Sequence, residues 1–466
     1  MPSARDLALD ALLAMERDGT RAKETVDGLR AQLSDPRDRA LLTEIVYGVV
    51  RRLPTLDALL AAVSKTPLAK LDPAVHAALR CALYQALFLD RIPAFAAVDA
   101  AVEAVKARTN PRLAGFANGV LRTILRSVNG KAEGPEQPRC DLPRPGTFAL
   151  RLSRPVFPDP TRSLAENLAV RYAHPAWLVD RWLTRVGLDA TRTLLDLGCG
   201  KPPLSLRARP GRRDEVLAAL RQAGVTARAG AGPDEVLAPD GEAIALDVVR
   251  DGLAAVQDGT AQRIAPLAAP RPGDHVLDLC AAPGGKTTHV LDLLARDAAA
   301  GSPVPGEVVA ADVDPEKVEG LARTLAARPP GGPATRAVLV PPSGPLPFPP
   351  ASFDLVIVDA PCSNTGVFRR RPEVRLRLRP EDVTSLVALQ DALLDRALPL
   401  VRPGGRLVYA TCSIEPEENE GRVARLLAAH PTLARGDGFD VRPTPDADGG
   451  FAAVLHVPRG AALHEG

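Results

Sequence analysis

"HVLDLCAAPGGKTTHV", His275–Val290, decides the fold of the C-terminal half. A short apolar run ends in Asp278, small residues follow, and a helical pattern begins at Lys286. A strand running through a glycine turn into a helix is the ligand-binding unit of doubly wound α/β domains, because the helix start presents unpaired N–H groups. Further on, "VVAADVD" reads as a second strand ending in Asp312, an acid placed to hydrogen-bond ribose hydroxyls. "FDLVIVDA", "LQDALLDRALPLV", "GRLVYATCS" and "NEGRVARLLAAH" continue the alternation of strand and helix. The pattern predicts a parallel sheet covered by helices on both faces.

A second stretch, "TLLDLGCGKPPLSLR" at Thr193–Arg207, reads almost alike, as a strand entering a glycine turn. After Gly198-Cys199-Gly200, however, Pro202 and Pro203 impose extended backbone and supply no N–H groups. No helix can start there. The cofactor is therefore assigned to the turn after Asp278, and Thr193–Arg207 is read as a look-alike.

The chain of 466 residues is too long for one core, and 46% hydrophobic with 24% charged residues is ordinary for globular domains. Net charge is only +2, yet "RRRPEVRLRLR" at Arg369–Arg379 sets six arginines against one glutamate. Such a run is either a solvated surface segment or a grip on a polyanion, most simply nucleic acid. "MPSARDLALDALLAMERDGT" interleaves acids and bases and is no signal peptide, and no apolar run is long enough to span a bilayer. Cys81, Cys140, Cys199, Cys280, Cys362 and Cys412 form no CxxC pair, which argues against a zinc site and a disulfide framework. A cytoplasmic protein with free thiols and no metal is expected.

Four regions are expected: an all-α domain over 1–130, a Pro/Gly-rich linker over 131–163, a small α+β module over 164–262 and an α/β domain over 263–460. "DRALLTEIVYGVVRRLPTLDALLAAV" and "PAVHAALRCALYQALFL" carry the 3.6-residue period of the first. In the last, "VIVDAPCSNTG" ends one strand at Asp359 with Cys362 beyond it, and "LVYATCS" ends another with Cys412. Strand carboxyl ends share one crevice in an open sheet, so both thiols should converge beside the cofactor. Two thiols are redundant for acyl transfer. In pyrimidine carbon-5 methylation they have separate jobs: one adds to ring carbon 6, and the adduct must later be expelled. An acid on the N3–N4 edge of the ring, as Asp359 could be, would stabilise the adduct.

"LDLCAAPGGKTTH", "DAPCSNTGVFRRRPEV" and "YATCSIEPEENE", in that order from Leu277 to Glu420, resemble the RNA 5-methylcytosine methyltransferases that use S-adenosyl-L-methionine. "GFANGVLRTILR" at Gly115–Arg126 is similar to the NusB-like RNA-binding domain fused to the bacterial RsmB or Sun branch, which acts on 16S ribosomal RNA; "YAHPAWLVDRWL" and "VQDGTAQ" also match that branch. The resemblance implies a Rossmann-like catalytic domain, Cys412 as nucleophile and Cys362 as the thiol that assists product release. It makes Cys280, Ala281, Ala282, Pro283, Gly284, Gly285 and Lys286 the cofactor turn, and Asp312 the ribose ligand. Asp359 contacts both cofactor and base, and Lys286 reaches the base or the cofactor carboxylate. The implied substrate is unassembled or partly assembled 16S ribosomal RNA. The sequence sets neither the target cytosine nor the oligomeric state.

Two positions depart from the resemblance. Pro342 stands where an adenine-binding acid is usual, leaving adenine to backbone groups or apolar contacts, and Arg209 stands where Asn is usual. Pro342 keeps open a non-catalytic RNA-binding scaffold, and transfer RNA remains an alternative substrate. Cys81 reads as a core residue and Cys140 as functionless. Cys280 reads as packing with only its backbone near the cofactor, and His174 and His289 as packing or capping residues.

Overall fold

The computed structural model describes residues 2–239, 245–297, 306–328 and 332–460; Ala298, the expected last residue of the helix after the glycine turn, lies outside them. The chain forms two compact units, Met1–Lys201 with Phe368–Leu378, and Pro202–Val367 with Arg379–Gly466.

The first unit opens with helices Ala4–Asp18, Ala22–Arg30, Pro36–Ala61, Pro73–Phe88, Ala94–Arg108 and Pro111–Arg126. Three of them start alike. Asp35, Asp72 and Asn110 accept backbone N–H groups of the first turn, and each is followed by proline at the first helical position. Each such cap contributes about 1 kcal/mol, and the proline there forfeits no hydrogen bond. Leu42, Ile45, Val49, Leu83, Val105 and Leu121 belong to the core that these helices share.

The segment expected to be a linker does more. Val128–Lys131, Asp141–Pro143 and Ala149–Leu152 form a three-stranded antiparallel sheet with Ala149–Leu152 in the middle. Leu142, Leu152 and Phe157 are buried in the helical core. Burying side chains of that size contributes about 1.5–3 kcal/mol each, so the segment is part of the domain's stability.

The look-alike stretch is not a strand. Ala176–Cys199 is helical, broken at Gly187 (φ 78°, ψ 176°), and "TLLDLGC" is its last part. Thr191, Leu194, Leu195, Gly198 and Cys199 are buried, which is the helical i, i+3, i+4, i+7, i+8 spacing rather than alternation. The helix stops at Gly200 before Pro202.

The arginine run is divided. Arg375 is fully buried in the first unit, donating to the carbonyls of Gly198 (2.9 Å) and Arg51 (2.7 Å), with His174 Nε2 at 3.2 Å. Arg369 is buried too, whereas Arg371, Arg377 and Arg379 are exposed. The run is therefore partly internal packing, not a uniformly solvated basic patch.

In the second unit, Leu204–Ala208, Arg228–Ala229, Glu235–Ala238 and Ala254–Val256 form an antiparallel sheet backed by helix Arg213–Gln222, giving the small α+β module. Arg207 and Arg209 from its first strand and loop, together with Arg328, pair with the buried Asp292 of helix Gly285–Asp297. Arg209, the residue standing for Asn, is thus an ion-pair partner.

The large sheet of this unit contains β1 (His275–Leu279), β2 (Glu307–Asp312), β3 (Ala334–Leu339), β4 (Phe353–Asp359), β5 (Val401–Thr411), β6 (Ala434–Val441) and β7 (Gly450–His456), in the order β3-β2-β1-β4-β5-β7-β6. β1 to β5 pair in parallel, while β7 is antiparallel to both neighbours. The expected all-parallel sheet is thus mixed. No helix separates β6 from β7, and a direct connection between neighbouring strands reverses direction. Leu277, Val309, Val356 and Leu407 face one core, and Val276, Val308, Leu355 and Val408 the other. The strand order reverses between β1 and β4, and their carboxyl ends open the crevice where ligands bind in such sheets. Among the described residues no helix is long and apolar enough to cross a membrane.

Candidate active site

The turn after β1 begins at Cys280 (φ 65°) and passes Gly284 (φ 101°) into helix Gly285–Asp297. Gly284 needs glycine on two counts: its φ is left-handed, and a Cβ would press on Leu321 at 3.2 Å. Its N–H donates to the Ala281 carbonyl (2.7 Å), and the Ala281 N–H reaches Ala311 on β2 (2.9 Å), which fastens the turn to the neighbouring strand. At Gly285 the space is open, a Cβ there meeting only Gln257 Nε2 at 3.8 Å.

Asp312 ends β2, buried, with its carboxylate accepting the N–H groups of Ala282 (3.3 Å) and Asp314 (3.2 Å). A carboxylate offers about four acceptor positions, so two remain for a diol. Lys286 donates to Asp359 at the end of β4. Burial opposes the lysine's charge, but Asp359, Asp278 and Cys412 together hold its pKa above the ordinary value. Asp278 is buried, accepts Thr287 Oγ1 (2.5 Å), and is pushed up to about 7 chiefly by desolvation. Cys280 is pushed up to about 12, by burial first and then by Asp359, Asp312 and Asp278, so its thiol stays neutral.

Both predicted thiols meet. Cys362 Sγ and Cys412 Sγ lie 3.2 Å apart, brought together from the loops after β4 and β5. The bond to Cys412, burial, and then the charges of Cys412 and Glu418 push the Cys362 pKa well above that of a free thiol. Asn364, in the left-handed region (φ 60°), donates to the Cys362 carbonyl (2.6 Å) and accepts from the Cys412 thiol on Oδ1 (3.3 Å). Gly366 N–H donates to the Cys412 carbonyl (3.0 Å), and a Cβ there would strike that oxygen and the Gly449 carbonyl.

A family model for the 16S rRNA methyltransferases RsmB/F matches residues 265–441, one for the NusB family residues 2–126, and one for the RsmF/B-like ferredoxin-like domain residues 174–240. The ribosomal RNA small subunit methyltransferase B of Erwinia tasmaniensis is 31% identical over 465 residues, 97% of each chain. The protein of that name from Escherichia coli is 33% identical over 432 residues, 91% of this chain and 89% of its own. The chain belongs to the RsmB family of ribosomal RNA methyltransferases. Among solved structures, PH0851 matches with a TM-score of 0.73 at 24% identity, over 98% of this chain and 99% of that one. NSun6 from Pyrococcus horikoshii, solved with SFG, gives 0.50 at 17% identity, over 60% of this chain and 98% of its own. These two likenesses are of fold.

As in the reading from sequence, this RsmB-family chain joins a NusB-like helical domain, a small α+β module and a Rossmann-like domain. At its departure from the family pattern, the carbonyls of Pro341 and Pro342 both accept from Arg396 (2.7 and 3.2 Å), so a guanidinium fastens the loop after β3. Val313, beside Asp312, is 47% exposed. His174 and His289 are both held neutral, chiefly by burial, the latter down to about 3.

Sequence reasoning passed over the buried residues that hold the thiols. Glu418 accepts Ser363 N–H (2.8 Å) and Gln390 Nε2 (3.0 Å) on one oxygen, and the hydroxyls of Ser413 (2.5 Å) and Ser363 on the other. Asn419 accepts Thr411 Oγ1 (2.6 Å) and donates to the Ser413 carbonyl (3.0 Å). A signal was present: each cysteine is followed by serine, and "EPEENE" holds the acids that those serines can meet.

Proposed function

We propose that this RsmB-family enzyme methylates carbon 5 of an unpaired cytosine in 16S ribosomal RNA, using S-adenosyl-L-methionine and a covalent adduct at Cys412. The pair of thiols 3.2 Å apart beside the Lys286–Asp359 ion pair carries this reading, since a non-catalytic scaffold has no physical need for it. The residues present fit the cofactor. Asp312 keeps acceptor positions for the ribose hydroxyls, the Cys280–Gly285 turn leaves room at Gly285, and exposed Val313 offers an apolar face to the adenine that lacks its usual acid at Pro342.

The Cys412 thiolate adds to ring carbon 6, and the electron pair of the 5,6 double bond moves into the ring. Asp359 accepts from the N4 amino group, and the ammonium of Lys286 paired with it stabilises the negative charge that develops in the ring. Lys286 also orients Asp359 through their ion pair and lies within the field of Cys412. S-adenosyl-L-methionine, when bound, supplies the methyl group as electrophile to carbon 5. The carbon-5 proton then passes to water, the carbon–sulfur bond breaks, and its electron pair returns to Cys412, which Cys362 S–H stabilises. The base must be unstacked, because ring carbons are out of reach within a helix.

The test is to incubate full-length protein with unmodified small-subunit ribosomal RNA and methyl-labelled S-adenosyl-L-methionine, then digest. Label in 5-methylcytidine is expected. Label in another nucleoside, or in transfer RNA alone, overturns the assignment.

A further inference from the structure

Helix Gly285–Asp297 carries a second charged cluster, away from the thiols. Asp292, about 10 Å along the helix axis from Gly285, meets three guanidinium groups. Its Oδ2 accepts from Arg207 Nη1 (2.5 Å), and its Oδ1 accepts from Arg209 Nη1 and from Arg328 Nη2. Among the described residues, none of the three arginines has a second carboxylate within ion-pair distance. Arginine stays charged in proteins, so the cluster holds three cations and one anion. The Arg207 and Asp292 side chains are only 2% and 3% exposed, where like charges are poorly screened. Burial holds the Arg207 pKa below its ordinary value; Asp292 opposes this, and repulsion from Arg209 and Arg328 adds to it. An internal brace needs one cation for one acid. Three around one leave positive charge to be balanced from outside.

That charge has an opening. A cavity of about 590 Å³ lies against Asp292, lined by Arg209 and Arg328, with apolar walls at Leu291, Leu325 and Pro333. Donors remain on both arginines. Arg209 gives Nε to the Gly252 carbonyl (3.1 Å) and Nη1 to Asp292, and its Nη2 has no acceptor among the described residues. Arg328 gives Nη1 to the Thr288 carbonyl (3.4 Å) and Nη2 to Asp292 (2.6 Å), which leaves Nε. N–H groups of two fixed guanidiniums beside a cavity match the oxygens of a phosphate. The cavity is far larger than a phosphate alone, so adjoining sugar fits too. Arg207 links the cluster to the cofactor turn: its Nε donates to Gln257 (2.7 Å), whose amide reaches the Gly285 carbonyl (3.4 Å).

We propose that Arg209 and Arg328 form a binding site for a backbone phosphate of the RNA strand, with Asp292 and Arg207 holding the two guanidiniums in place. This rests on the reading that the substrate is RNA. The site positions the strand and reads no base.

The experiment measures filter retention of unmodified small-subunit ribosomal RNA by the full-length protein across a potassium chloride series. The double variant Arg209→Gln, Arg328→Gln leaves Asp292 paired with Arg207. It should bind RNA roughly three- to tenfold more weakly at moderate salt, and its slope of log affinity against log salt should be shallower by about 0.7, one phosphate contact. Its affinity for S-adenosyl-L-methionine, read by calorimetry, should be unchanged. A brace without a ligand would lower the melting temperature and leave the salt slope at the wild-type value; that result overturns the proposal. Should the double variant not fold, phenylglyoxal modification of the wild type with peptide mapping decides it. RNA should slow modification of Arg209 severalfold, and millimolar inorganic phosphate alone should not. Equal rates with and without RNA overturn the site, and full protection by inorganic phosphate alone overturns the RNA strand as its occupant. Protein that shows the expected salt slope yet transfers no methyl group to this RNA would support the phosphate site and overturn the reading of the reaction.

Discussion

Cys362 Sγ lies 3.2 Å from Cys412 Sγ, and the two belong to loops that leave neighbouring parallel strands, β4 and β5. Strand pairing alone brings residues fifty apart in the chain to one crevice. The finer distance is set below, by Gly366, whose N–H holds the Cys412 carbonyl, and by Glu418. Cys412→Ala should therefore lower methyl transfer by at least about 10³-fold with RNA affinity nearly unchanged, because the nucleophile is lost and the scaffold is not. Rates and filter-binding isotherms on one preparation check both halves.

Asp312→Asn should weaken S-adenosyl-L-methionine by about tenfold or more, equivalent to about 1.4 kcal/mol, since an amide cannot accept two hydroxyls while also receiving the N–H groups of Ala282 and Asp314. Calorimetric titration reads the loss. RNA binding should not follow it.

Asp278 makes stability depend on pH. Its folded pKa of about 7 lies above the ordinary carboxylate value, so the folded state holds a proton that the unfolded state releases. The contribution is present in acid and is lost as pH rises from the unfolded value through the folded one. Asp278→Asn keeps a group opposite Thr287 and removes this loss. Between pH 5 and 7, urea unfolding should show the wild type falling behind the variant by up to about 1.4 kcal/mol per pH unit.

The arginine run should separate into two behaviours. Arg375→Ala leaves the carbonyls of Gly198 and Arg51 without their donor and should cost about 2–4 kcal/mol of stability. Arg379→Ala removes an exposed charge and should leave unfolding unchanged. If Arg379 holds a phosphate, the change lowers the slope of log affinity against log salt by about 0.7.

That division shows where the sequence stops being legible. Charge can be counted in a string, but the burial of Arg369 and Arg375 depends on a chain segment that returns to the first unit. "TLLDLGC" looked like a strand because a short apolar run fits either period; the helical spacing of Thr191, Leu194, Leu195 and Gly198 emerges only when the whole stretch from Ala176 is read together. The glycine turn was legible because proline after the look-alike excluded its rival on backbone grounds alone. The strands within the expected linker were not, since prolines and glycines at turns hide three- and four-residue strands. β7 was missed because nothing in the local sequence states that it inserts between β5 and β6. The thiols and acids of the site could be named in advance. Glu418 could not, because its role arises from packing against two serines that are fifty residues apart.

The most direct test uses Cys362→Ala with S-adenosyl-L-methionine and unmodified 16S ribosomal RNA, followed by denaturation, nuclease digestion and peptide mapping. With the thiol that assists release removed, a denaturant-resistant protein–RNA adduct should accumulate, and the nucleotide should map to Cys412 as a methylated cytidine. Turnover at the wild-type rate with no trapped adduct, or a nucleotide mapped to any other residue, would contradict the account.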